Sequence, residues 1–230
     1  MENLTVVFDL DGTLVDTAPD LVGATNHALA DIGLAPVAAG LLRPWISFGA
    51  RRMIVEALVA SGQSHPEPEV DRLFDLFIAY YEDNIARESR PYPGVVTAIE
   101  TLREAGARLG VCTNKRESLS RALLGALDLD RHFHALAGRD TFPVHKPHPD
   151  HLTGVVRLAG GTAERAVMIG DSGVDIATAR AAGIPVVAVS FGYTDIPVAR
   201  HAPDRVIDHY DHLLPAIREL HPRQPENPSK

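Results

Sequence analysis

Asp9 and Asp11 stand two residues apart, directly after the apolar run Thr5-Val6-Val7-Phe8. Alternate side chains of an extended chain point to the same side, so the spacing predicts both carboxylates on one face. Two like charges that close repel, and a proton or a cation must relieve them. A divalent cation suits the task, and all-oxygen ligands suit magnesium. Gly12 follows and permits a sharp turn whose N–H groups face an anion. The plainer reading is a surface Asp-Gly turn. The apolar strand leading into it favours a ligand site, because ligands on open α/β sheets collect beyond the carboxyl ends of strands.

Three further segments repeat that design. Val111-Cys112-Thr113-Asn114-Lys115 ends an apolar strand in a hydroxyl and an amide, which suit the non-bridging oxygens of a phosphate; by itself it is also an ordinary turn. His145-Lys146-Pro147-His148 puts a lysine before a proline, outside any helix interior. Lys146 reads either as a solvated loop residue or as a point charge for an anion. His145 and His148 read as loop histidines rather than metal ligands, given the competing carboxylates. Val167-Met168-Ile169-Gly170-Asp171 ends a third apolar strand in an acid, and Asp175 follows four residues later. Asp175 can cap or begin a helix. Asp171 has no such simple use, and with Asp9 and Asp11 it completes a carboxylate cluster for Mg²⁺.

The elements that must hold these residues follow from the pattern. Thr17-Ala18-Pro19-Asp20 starts a helix, with Thr17 as its cap, and Gly33 stops it. Residues 37–62 and 67–88 read as further helices, punctuated by Gly49 and Gly62, and Leu73, Leu76, Phe77, Tyr80 and Tyr81 form a core-facing stripe on the last. After Pro91-Tyr92-Pro93-Gly94 the pattern alternates. Helices fall at 95–106, 117–127, 149–159, 175–182 and 212–220. Strands fall at 107–112, 135–137, 166–169, 186–189 and 206–207. Repeated βα alternation predicts a parallel sheet with helices on both faces. The polar, proline-rich tail 222–230 is expected to be disordered.

Asp9-Leu10-Asp11-Gly12-Thr13-Leu14-Val15-Asp16-Thr17 resembles the first signature of the haloacid dehalogenase superfamily. The Thr113, Lys146-Pro147 and Gly170-Asp171-Ser172 segments resemble its later motifs, in the same order. The resemblance implies an α/β, Rossmann-like parallel-sheet core, residues 1–16 and 89–221, with an inserted all-helical cap, residues 17–88. It implies that Asp9 is the nucleophile and Asp11 the general acid and base. Thr113 and Asn114 then bind the phosphoryl group beside Gly12, and Lys146 offsets the charge of Asp9 and holds phosphate. Asp9, Asp171 and the Asp11 carbonyl are implied ligands of Mg²⁺, with Asp175 orienting them.

Within the superfamily, a dehalogenase needs no metal and lacks an acid at the Asp11 position. A phosphonatase needs a cap lysine, and residues 17–88 contain none. A sugar phosphomutase shares the core motifs. A non-catalytic phosphate-binding module is expected to lack Asp9 or Asp11. The segment Trp45–Arg52, with Thr113-Asn114-Lys115, Lys146–Asp150 and Phe191-Gly192-Tyr193, is similar to bacterial phosphoglycolate phosphatases. That implies a small phosphorylated metabolite as substrate, with Arg51 or Arg52 pairing with its carboxylate. The plainer reading is one solvated arginine and one ion pair. Ser47-Phe48-Gly49 departs from the Gly-x-Gly of that loop in those relatives.

The chain has 230 residues and a formal net charge of −8. That balance argues against a nucleic-acid footprint, which is normally basic. Cys112 is the only cysteine, so no intramolecular disulfide forms, and a reducing compartment fits. No signal peptide and no membrane-spanning apolar run is evident, and the cytoplasm is the expected location. The sequence leaves open monomer or homodimer.

Overall fold

The computed structural model describes residues 1–194 and 196–221; the tail 222–230 lies outside the described residues. The opening strand β1 (Thr5–Phe8) is fully buried. A two-residue strand β2 (Val15–Asp16) follows, then four helices: α1 (Ala18–Asp31), α2 (Ala39–Leu42), α3 (Ala50–Ala60) and α4 (Glu67–Asp83). The chain returns through β3 (Arg90–Pro91), which pairs antiparallel with β2, Val15 opposite Pro91 and Asp16 opposite Arg90. The alternating part then runs α5 (Val95–Glu104), β4 (Arg108–Cys112), α6 (Glu117–Ala126), β5 (Ala135–Ala137), α7 (Pro149–Leu158), β6 (Ala166–Gly170), α8 (Gly173–Ala182), β7 (Val186–Val189), β8 (Arg205–Ile207) and α9 (Leu213–Leu220).

Six strands form one parallel sheet in the order β5-β4-β1-β6-β7-β8. Both faces are covered, as parallel sheets require. Val6 and Phe8 join one apolar cluster with α5 and α9 residues such as Ile99 and Ile217. Val7 points the other way, into a cluster with Leu152 of α7 and Ile176 of α8. Strand alternation alone divides the two cores. Helices α1, α3 and α4 make a third cluster, to which Leu119 of α6 and Tyr193 also contribute.

The register fixes the site. Phe8 lies opposite Val111 on one side and Ile169 on the other. The chain therefore leaves β4, β1 and β6 at one level, with Thr113, Asp9 and Asp171 emerging together. The order reverses at β1, the crevice where open α/β sheets bind ligands.

The helical stretch expected over 37–62 comprises α2, a 3-10 stretch at Arg43–Phe48 and α3. Gly49 breaks it, with φ 92° and ψ 163°, a backbone region open essentially to glycine. The helix expected over 67–88 stops at Asp83, so that the chain can turn into β3.

Candidate active site

Asp9 follows β1, and its N–H donates to the Ile169 carbonyl (2.8 Å). Its Oδ1 is buried and paired with Lys146 Nζ at 2.8 Å. Lys146 is almost wholly buried and also donates to Asp175 Oδ1 (2.6 Å). Its backbone N–H donates to Nδ1 of the buried His151, whose Nε2 therefore donates to the Gly138 carbonyl. His151 is thus a neutral ring that fixes the lysine loop, a part that no local sequence signal indicates. Burial, then the Lys146 charge, pushes its pKa down to about 4.

Asp171 ends β6 and is fully buried. It accepts from Thr13 Oγ1 (3.2 Å) and from the Tyr193 N–H. There is no room for side chains around it. A Cβ on Gly12, where φ is +85°, would lie 2.4 Å from Asp171 Oδ2, and one on Gly192 2.2 Å from Asp171 Cβ. Asp175 sits in the first turn of α8 and shares a capping box with Ser172. Its Oδ2 accepts from the Ser172 hydroxyl (2.7 Å) and backbone N–H (3.1 Å). Both Asp175 oxygens are therefore engaged.

Oxygens of Asp9, Asp171 and Asp175 come within 4.8 Å of one another. With Asp11 the site holds four carboxylates against two ammonium groups, Lys115 and Lys146, an excess of two negative charges. Burial first, then the neighbouring Asp175 carboxylate, raises Asp9 to about 7 against the pull of Lys146. Burial, Asp175 and Asp9 likewise raise Asp171 well above the usual carboxylate range. Such a cluster fits a divalent cation: three buried acids with hard oxygen donors close together, and an unmatched charge of two.

Asp11 is handled differently. Its carboxylate turns away from that cluster to Lys115 Nζ, at 3.0 and 3.3 Å, and accepts from Thr17 Oγ1 at 2.7 Å. The Thr17 hydroxyl is spent there and makes no cap for α1, contrary to the expected capping role. The structure thus separates two acids that strand alternation alone puts side by side. β1 ends at Phe8, and residues 10–14 already turn, with Leu14 and Val15 N–H donating back to the Leu10 carbonyl.

Thr113 is buried and its Oγ1 accepts from the Lys115 N–H (3.1 Å). Asn114 donates to the Lys146 carbonyl (3.1 Å), which ties the two loops, and its Oδ1 is buried without a partner. Asp9, Asp11, Thr113, Asn114 and Lys146 all face one cavity, roofed by Met53, Phe77 and Tyr81 of the helical layer. Arg51 and Arg52 do not line it. Arg51 is committed to Glu67 and Asp71, and Arg52 pairs with Glu56 and lies 4.8 Å over the Trp45 ring. His148 caps α7, accepting from the Asp150 N–H, and His145 contacts the Lys146 carbonyl; neither joins the carboxylates.

A Rossmann-like parallel sheet with acids following β1 and β6 and a buried lysine paired with the first of them is the arrangement of one hydrolase class. The chain belongs to the haloacid dehalogenase-like hydrolase family, which it matches over residues 6–189. It is 52% identical over 95% of its length to the phosphoglycolate phosphatase of Mesorhizobium japonicum, covering 96% of that protein. It is 46% identical to the phosphoglycolate phosphatase of Agrobacterium fabrum, over 93% of this chain and 91% of that one. The crystal structure of a predicted phosphoglycolate phosphatase from Haemophilus somnus superposes with a TM-score of 0.87 at 32% identity, covering 94% of this chain and 98% of that one.

Proposed function

We propose that this chain is a Mg²⁺-dependent phosphomonoesterase that hydrolyses 2-phosphoglycolate to glycolate and phosphate. The observation that carries the chemistry is the Asp9 carboxylate: buried, facing the cavity, paired with Lys146 at 2.8 Å and clustered with the buried Asp171 and Asp175. The substrate is supported by relatives of that name, 52% and 46% identical over nearly the whole chain.

Asp9 attacks the phosphorus in line and forms an aspartyl-phosphate as the P–O bond to the leaving group breaks. Asp11 gives its proton to the departing alkoxide. It then takes one from the water that cleaves the aspartyl-phosphate and returns the Asp9 carboxylate. Thr113, Asn114 and Lys146 hold the phosphoryl oxygens, because phosphoryl transfer depends chiefly on positioning and charge. Asp9 and Asp171 would hold Mg²⁺ with the Asp11 backbone, and Asp175 would orient them. The ion supplies charge neutralisation between nucleophile and phosphate.

Residues 17–88 act in this reading as a cap on a core of 1–16 and 89–221, and closure of the cap excludes water. The paired strands β2 and β3 join the two. A reducing cytoplasm suits the buried thiol of Cys112. Phosphate release from 2-phosphoglycolate, sugar phosphates, an amino-sugar phosphate and pyrophosphate, with Mg²⁺ and with chelator, tests the proposal. The highest kcat/KM belongs to 2-phosphoglycolate and vanishes with chelator. A better substrate in the panel overturns the substrate, and Mg²⁺-independent release overturns the mechanism.

A further inference from the structure

The chemistry above leaves Lys115 unused. Only 5% of its side chain is exposed. Its Nζ reaches both Asp11 oxygens and lies 4.5 Å from the centroid of the Tyr81 ring on α4. Burying an ammonium is costly, and one carboxylate offsets only part of that cost. Two contacts to Asp11 leave one of its three N–H groups outside that pair.

Its position gives it a use. An acid that protonates a leaving group must lie within hydrogen-bond reach of the ester oxygen. The first atoms beyond that oxygen therefore fall beside Asp11, and so beside Lys115. Around them the roof is apolar at Met53 and Phe77, and Tyr81 adds a ring and a buried hydroxyl. Arg51 and Arg52 are engaged elsewhere, and Arg116 and Arg139 are exposed residues on the cavity wall. Lys146 is committed to Asp9 and Asp175. Lys115 is thus the buried cation on the leaving-group side of the cavity.

We propose that Lys115 determines specificity by binding a carboxylate carried one carbon from the ester oxygen. The substrate class is small phosphomonoesters of 2-hydroxy acids. This rests on the phosphatase reading above and adds the residue that selects among phosphomonoesters.

The test compares kcat/KM for 2-phosphoglycolate with that for ethyl phosphate, which lacks the carboxylate, in the wild type, Lys115→Met and Lys115→Arg, all with Mg²⁺. Lys115→Met lowers the ratio of the two values roughly 100-fold, mainly through KM for 2-phosphoglycolate, as loss of a buried charged partner does. Lys115→Arg restores most of it. An equal loss on both substrates, or an unchanged ratio, overturns the proposal and leaves Lys115 as a prop for Asp11. Should Lys115→Met not fold, Lys115→Gln is judged by the same ratio. A wild type without preference for 2-phosphoglycolate is a separate result, and it removes the substrate reading itself.

Discussion

Asp9 and Asp11 are separated only by Leu10, and each has its own lysine. Lys146 lies beside Asp9 and Lys115 beside Asp11. The pairing keeps the proposed nucleophile and the proposed acid from competing for one cation. It also makes the Asp9 site separable by mutation. Asp9→Asn keeps the shape of the side chain and removes one charge from a cluster with too many. Turnover falls by about 10⁴-fold or more, as for other nucleophiles. The fold survives, with a metal-free melting temperature no lower than that of the wild type. Steady-state phosphate release and calorimetry check both halves. Turnover near the wild-type level refutes the nucleophile assignment.

Elements differ in how openly the sequence states them. β1, β4 and β6 are legible because each is an apolar run closed by a chemically distinct residue, Asp9, Thr113 or Asp171. The break at Gly49 is legible as a glycine that ends a loop and starts α3 at Ala50, but the 3-10 stretch before it is not. Two-residue strands such as β2 and β3 carry no periodic signal at all. Nor do contacts between distant residues. The lysine that meets Asp11 is 104 residues away, and no local pattern foretells it. The arginines of the Trp45–Arg52 segment illustrate the converse. Their type suits a carboxylate, and nearby acids on α3 and α4 take both. Asp20 is a further long-range case. It is buried near the start of α1 and accepts from Glu88 N–H, Ser89 N–H and the Ser89 hydroxyl, beside the β2–β3 pair. Asp20→Ala strands those donors and destabilises the protein by roughly 2–4 kcal/mol. Urea unfolding measures it, and a change under about 0.5 kcal/mol shows that the junction does not depend on Asp20.

At the scale of the whole molecule, folding buries more negative than positive charge in one place. Asp9 is raised from 3.8 to about 7, and Asp171 is also raised well above the usual carboxylate range by its burial and by Asp175. A carboxyl with a raised pKa binds its proton more tightly when folded than when unfolded. Stability from it is therefore present at low pH and lost as pH rises through the folded value. His151, lowered from 6.5 to about 4, works in the opposite direction. The unfolded imidazole takes a proton that the folded one refuses, so its contribution rises with pH up to about 6.5 and is constant above. Between pH 6.5 and 8 the carboxylates act without that opposition. The melting temperature of the metal-free protein falls across this interval. Mg²⁺ binds the ionised carboxylates and cancels the fall; at 100 times its Kd it adds about 2.7 kcal/mol. In Asp9→Asn the metal-free fall is shallower. Calorimetry at pH 6.5, 7.2 and 8.0, with chelator and with Mg²⁺, reads all three effects. A metal-free melting temperature that holds or climbs over that range means that the cluster is not the source of a pH-dependent cost. A fall that Mg²⁺ leaves untouched means that Asp9 and Asp171 do not hold the ion.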